Sequence, residues 1–153
     1  MLKVNFISKS ASISFAAAGL AAALCCSQAA AADIVLGSAS IVQSGNNNQA
    51  AIDQIGETNR ALISQTGNNN FADVKQSGNG NSLALSQDGV GNSFNARQSG
   101  AENRILANQL GGASATLLQT GSNNSITLNQ AAGRNFAYVS QTGNGNTATI
   151  NQR

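Results

Sequence analysis

Glutamine recurs at 43, 54, 65, 76, 87, 98, 109, 119, 130, 141 and 152, a step of eleven residues broken by a single step of ten. A fixed internal period of this kind limits the chain to a stacked or coiled array, so it is read before any local propensity. Each unit copies a pattern. Glycine follows the opening Gln by two at Gly45, Gly56, Gly67, Gly78, Gly89, Gly100, Gly111, Gly121 and Gly143. Asparagine follows it by five at Asn48, Asn59, Asn70, Asn81, Asn92, Asn103, Asn124, Asn135 and Asn146.

An eleven-residue repeat can also describe a right-handed coiled coil. A helix built from this unit would carry a glycine every three turns, at about 1 kcal/mol each relative to alanine, among helix-poor Asn, Ser and Thr. The apolar residues alternate instead: Asn48, Ala50, Ile52 and Gln54 fall on one side, Gln49, Ala51 and Asp53 on the other. That is the period of a strand. The alternation slips once per unit across Gly-x-x-Asn, where Gly and Asn tolerate positive φ, so a tight reversal there keeps the apolar side inward.

If two units form one rung, residues 22 apart stack. The expected core is Ile52, Ile63, Val74, Leu85, Phe94, Ile105, Leu117, Leu128, Val139 and Ile150, each beside a second inward position. Where the first inward position of a strand is large, as at Phe94 and Ile105, its neighbour shrinks to Ala96 and Ala107, as a thin core of fixed volume requires. The recurrent Gln and Asn also point inward, where an unpaired amide would cost roughly 1–3 kcal/mol. Stacked on like amides about 4.8 Å away, each can both donate and accept. Two turns depart from the pattern. Gly111-Gly112-Ala113 is one residue short and lacks its Asn, and Gly133 is displaced by one; both changes are expected to leave the rungs intact.

Residues 1–32 differ in kind. Lys3 and Lys9 precede an apolar run over residues 13–24, and Ala30, Ala31 and Ala32 fit a signal-peptidase site, with cleavage expected after Ala32. The run is too short to cross about 30 Å of hydrocarbon. Cys25 and Cys26 lack the leucine three positions earlier that a lipoprotein would carry, and both leave with the signal. Residues 33–43 read as a first strand and 44–153 as the repeat array. Six acids and six bases balance over residues 33–153, so no basic surface for nucleic acid is expected. Asp53, Lys75 and Arg97 share one outward column, and Arg60 and Arg104 flank Ser82 in another. Such charges suit a solvated face or a guard against premature aggregation.

The unit Gln-x-Gly-x-x-Asn-x-Ala-x-x-x-Gln, seen at 43–54, 54–65, 65–76 and 141–152, resembles the curlin repeat, and the resemblance spans the array. It implies a β-solenoid, stacked end to end in curli, the extracellular amyloid of bacterial biofilms. By the same resemblance the partners are other curlin subunits, the curli secretion machinery and the outer-membrane surface. The family usually opens one strand of each pair with Ser; here both open with Asn. The major curlin typically carries a Gly-rich leader after its signal. Its absence before residue 43, the charged repeats and the terminal Gln152-Arg153 are similar to the minor, nucleating curlin, with the major subunit as the alternative.

No enzyme is expected. The chain has no histidine, no cysteine after residue 32, no serine beside a base, and no column of clustered carboxylates. No cofactor, metal or small-molecule substrate is expected either, since no Gly-Gly-x-Gly-x-Asp calcium run occurs. A soluble adhesive or ice-binding solenoid is the rival, but only Thr127, Thr147 and Thr149 approach the outward threonine row it would need.

Overall fold

The computed structural model describes residues 2–8, 11–15, 37–131 and 133–153. Eleven strands form the repeat array: β3 (Ser38–Asn46), β4 (Asn48–Ile55), β5 (Arg60–Asn68), β6 (Phe71–Asn79), β7 (Ser82–Val90), β8 (Ser93–Ala101), β9 (Arg104–Leu110), β10 (Ser114–Ser122), β11 (Ser125–Gln130), β12 (Phe136–Asn144) and β13 (Thr147–Gln152). Two shorter strands, β1 (Leu2–Ser8) and β2 (Ala11–Phe15), precede them. The array is a β-solenoid. Even-numbered strands β4 to β12 stack in one sheet and odd-numbered strands β3 to β13 in the other.

Within each sheet, array neighbours pair in parallel with a 22-residue offset, as in Ile41↔Ile63 and Ile63↔Leu85. The offset drops to 21 across the short turn, where Phe94 faces Ala115 and Ile105 faces Ile126, and like residues still meet. The one-residue deletion is absorbed in the arc because register is set on the buried face, where a slip would turn every apolar side chain outward.

The core is a single seam between the sheets, two apolar residues deep per strand. All the expected core positions from Ile52 to Val139 are buried, and Phe94 packs in the same seam as its small neighbour Ala96. A fully buried Leu117 or Ile126 contributes about 1.5–3 kcal/mol over its exposed state. Ile150 and Ala148 are only partly buried, because β13 is the outermost described strand of its sheet and no described strand pairs with its far edge.

Within the described residues the first strand of the array runs from Ser38 to Asn46; the expected cleavage site and residues 33–36, where the sequence reading starts that strand, lie outside them. The glycines mostly belong to the ladder, not the turn. Gly45↔Gly67 and Asn46↔Asn68 are paired positions, so pairing continues through the glycine into the next residue. The left-handed turn residue is then the one just before the recurrent Asn, at Asn47, Thr58, Asn69, Glu102 and Asn123, all with φ between 56° and 58°. At the leading end of the array, β1 pairs antiparallel with β4, and β2 antiparallel with β3.

Candidate functional site

Inward Gln side chains form two continuous ladders. In the odd sheet, Gln43 Nε2 donates to Gln65 Oε1, Gln65 to Gln87, Gln87 to Gln109, Gln109 to Gln130 and Gln130 to Gln152, at 2.7 to 2.9 Å. In the even sheet the chain of donation runs Gln54, Gln76, Gln98, Gln119, Gln141, at 2.6 to 3.0 Å. The second Nε2 hydrogen goes to a backbone carbonyl sixteen residues earlier, as from Gln65 to Gln49 O at 3.0 Å and from Gln76 to Arg60 O at 3.0 Å. Each amide thus ties its own rung together and bonds the next one. Most of these glutamines are fully buried, where an unmet amide would be expensive, so the repeat of one residue type at one position is what makes burial possible.

The Asn ladders run the other way. Asn81 N and Nδ2 both donate back to Asn59 Oδ1, at 3.0 and 3.1 Å, and the Asn81 amide also reaches Ser77 O and Gly100 O. Asn103, Asn124 and Asn146 continue that column. Its Nδ2 group caps the carbonyls of the arc, which is why Asn stands where the chain bends. The other column, Asn48, Asn70 and Asn92, stops at the short turn. Ala113 occupies the next place, and its backbone N–H donates to Asn92 Oδ1 at 3.1 Å. Beyond it, Asn135 Nδ2 bonds Ala131 O at 2.8 Å within its own arc.

The expectation that every recurrent amide is inward and covered does not hold at the trailing end. Asn146 is exposed, and Asn135 and Gln152 are half-buried, because no described rung covers them. Further polar stacks escaped the sequence reading. Asn108 donates to Asn129 and Asn129 to Asn151, at 3.0 and 2.9 Å, on the outer face of the odd sheet. Asn68 and Asn144 side chains accept from the backbone of Asn46 and Ser122 in the arcs. Their signal was present as Asn at offsets of 21 and 22, but outward residues were read as free to vary.

Outward charges follow the register. Asp53 pairs across with Lys75, and Lys75 with Arg97, while Arg60 and Arg104 sit on either side of Ser82. Lys75 Nζ lies 3.8 Å from Asp73 Oδ2 on its own strand, an exposed pair worth at most about 1 kcal/mol. Among the described residues no cluster of three metal-ligating side chains occurs. No helix among them is long and apolar enough to cross a membrane.

With this geometry in place, the comparison with known families is specific. The model for the curlin associated repeat matches residues 38–67, 57–89, 67–100 and 121–153. The chain belongs to the curlin family. The matches begin where β3 begins, and the interval they skip, 101–120, contains the short turn and Ala113. No curated protein and no solved structure matches. Curlins are structural subunits that assemble with one another into extracellular fibres, and a β-solenoid of stacked amides is a structural rather than a catalytic architecture.

Proposed function

We propose that this curlin acts as the minor, nucleating subunit of curli, seeding a more regular major curlin at the cell surface in fibres that serve adhesion and biofilm matrix. The observation that supports it best is the trailing end of the solenoid. There β12 and β13 are the outermost described strands of their sheets and form an edge at rung spacing, with Gln141, Asn146 and Gln152 already in ladder geometry. A preformed parallel edge recruits an incoming strand by backbone pairing and fixes its register through matching amides. Like charges on neighbouring rungs, Lys75 beside Arg97, make this chain a less regular building block than an uncharged repeat would be. In this reading the chain is exported through the curli pore and retained at the outer membrane. The outer face offers little to the ice-binding alternative, since Thr127 stacks on Thr149 but the next position back is Leu106.

The test uses cells that secrete a major curlin but lack this chain. Supplying the full chain is expected to restore surface-bound fibres. A chain without residues 145–153, which ends on β12 and presents Phe136 and Tyr138 outward, is expected to leave the major subunit soluble in the medium. If the full chain alone builds abundant long fibres in cells lacking every other curlin, it is the major subunit.

A further inference from the structure

The two ends of the array are complementary in hydrogen bonding but not in strand count. Gln54 is 95 % buried on the leading rung, and its Oε1 has no hydrogen-bond partner. Every Gln further along its column receives a donor at that oxygen from the rung before. Residues 2–8, which pair with β4 in the antiparallel sense, lie in the stretch expected to leave with the secretion signal. At the trailing end the polarity is opposite. Gln152 and Gln141 each spend one Nε2 hydrogen on a carbonyl, Phe136 O and Ser125 O, and have no following Gln to receive the other.

The described array holds eleven strands, an odd number, so its first and last described strands lie in the same sheet. A second copy added without rotation would put its β3 over β13 and leave a one-strand gap between β12 and its β4. The new Gln54 oxygen would stay orphaned above that gap. A copy rotated by half a turn about the fibre axis instead puts its β3 over β12 and its β4 over β13. Strand direction still matches, because the two sheets of a rung run oppositely and the rotation exchanges them. Gln141 then donates to Gln43 of the next copy, and Gln152 to its Gln54. Asn48 of that copy donates its backbone N–H to Asn146 Oδ1, as Asn70 does to Asn48 within the chain.

We infer that copies of this chain join head to tail with a half-turn between successive subunits, the junction completing the amide ladders at Gln54 and Gln152. The inference rests on curlin self-assembly and is independent of the minor or major assignment. It places the Asp53, Lys75 and Arg97 column on alternate sides of the fibre from one subunit to the next. It also gives Gly143 a role. A Cβ built on Gly121 would fall 2.9 Å from the Gly143 carbonyl carbon, so side chains at this position point into the following rung. At Gly143 a Cβ meets only Asn146 Nδ2, at 3.5 Å, within its own chain. In the half-turn junction the space beyond it belongs to Gly45 of the next copy.

The test is made on fibres grown from protein purified from cells expressing the full chain, with Cys25→Ser and Cys26→Ser. Mixing a Ser140→Cys form with a Val42→Cys form is expected to give intermolecular disulfides, because these outward positions become direct neighbours. Helical reconstruction is expected to show a rise of about 26 Å per subunit, eleven half-rungs, with about a half-turn of rotation. Gly143→Ala is expected to slow elongation about tenfold or more through overpacking at the junction. Gly145→Ala, which also places a side chain at positive φ, +71° against +107° at Gly143, but in open space, is expected to elongate nearly as the parent does. Cross-linking of Asn151→Cys with Val42→Cys, a rise of about 29 Å without rotation, fibres with neither cross-link, or parent-like growth of Gly143→Ala would each overturn the half-turn junction while leaving the fibre reading in place. Persistent soluble monomer under the same conditions overturns self-assembly itself, and the junction with it.

Discussion

Gly67 stacks on Gly89 so closely that a Cβ built on Gly67 would fall 2.8 Å from the Gly89 carbonyl carbon. Its φ of +104° is also one that side-chain-bearing residues rarely adopt. Two independent constraints therefore meet at one residue. Gly67→Ala adds backbone strain of about 1–3 kcal/mol and overpacking of similar size, about 1–3 kcal/mol. The expected result is a large fall in the guanidinium concentration that dissolves the assembled protein, compared with the parent under the same conditions.

Replacing an inward amide is expected to cost far more than replacing its outward neighbour. Gln65→Ala strands the Gln43 Nε2 donor and the Gln87 Oε1 acceptor, at about 1–3 kcal/mol each. Asn59→Ala likewise strips the acceptor shared by Asn81 N and Nδ2. Ser64→Ala, pointing outward on the same strand as Gln65, is expected to change stability by under about 0.5 kcal/mol. Thioflavin-monitored assembly, seeded and unseeded, should rank both amide variants well below Ser64→Ala; equal rates for all three would remove the ladder as an energetic element.

Thr58 is the one β-branched residue among the left-handed turn positions, with φ of 56°, and its exposed hydroxyl bonds only Glu57 O. A side chain there costs about 1–2 kcal/mol that asparagine or glycine reduces. Thr58→Asn or Thr58→Gly is expected to raise stability by about 1 kcal/mol, read as a higher denaturant midpoint. An unchanged or lower midpoint counts against strain at this arc.

Ala113 interrupts the column between Asn92 and Asn135. Ala113→Asn supplies an amide where the Asn92 oxygen already accepts the backbone N–H. Rejoining the column is expected to add about 1 kcal/mol, visible as a higher midpoint and as protection of the 111–114 backbone from hydrogen exchange. A loss of stability would mean that the shortened arc has no room for the side chain.

The rung arrangement was legible because it depends on like residues meeting like. Columns such as Ile41, Ile63 and Leu85 follow from counting alone once alternation identifies the strand, and the two-residue seam follows from that register. The turn was less legible. Gly and Asn both tolerate positive φ, so composition could not say that Gly67 remains in the ladder while Asn69 bends the chain, nor that Asn70 stands there to cap carbonyls.

The sequence by itself determined the period, the inward set of Gln43 through Gln152 and the compensation of Phe94 by Ala96, since each is a statement about spacing and volume. Only the tertiary structure decided which hydrogen of each amide goes where. Inward Gln side chains donate to the Gln of the following rung and inward Asn side chains to the Asn of the preceding one, a polarity that depends on how the side chains meet across rungs. It also decided that Asn135, Asn146 and Gln152 differ from their copies. Identical residues in identical repeats have unequal environments whenever the next rung is absent or altered, and burial is a property of that neighbour rather than of the residue.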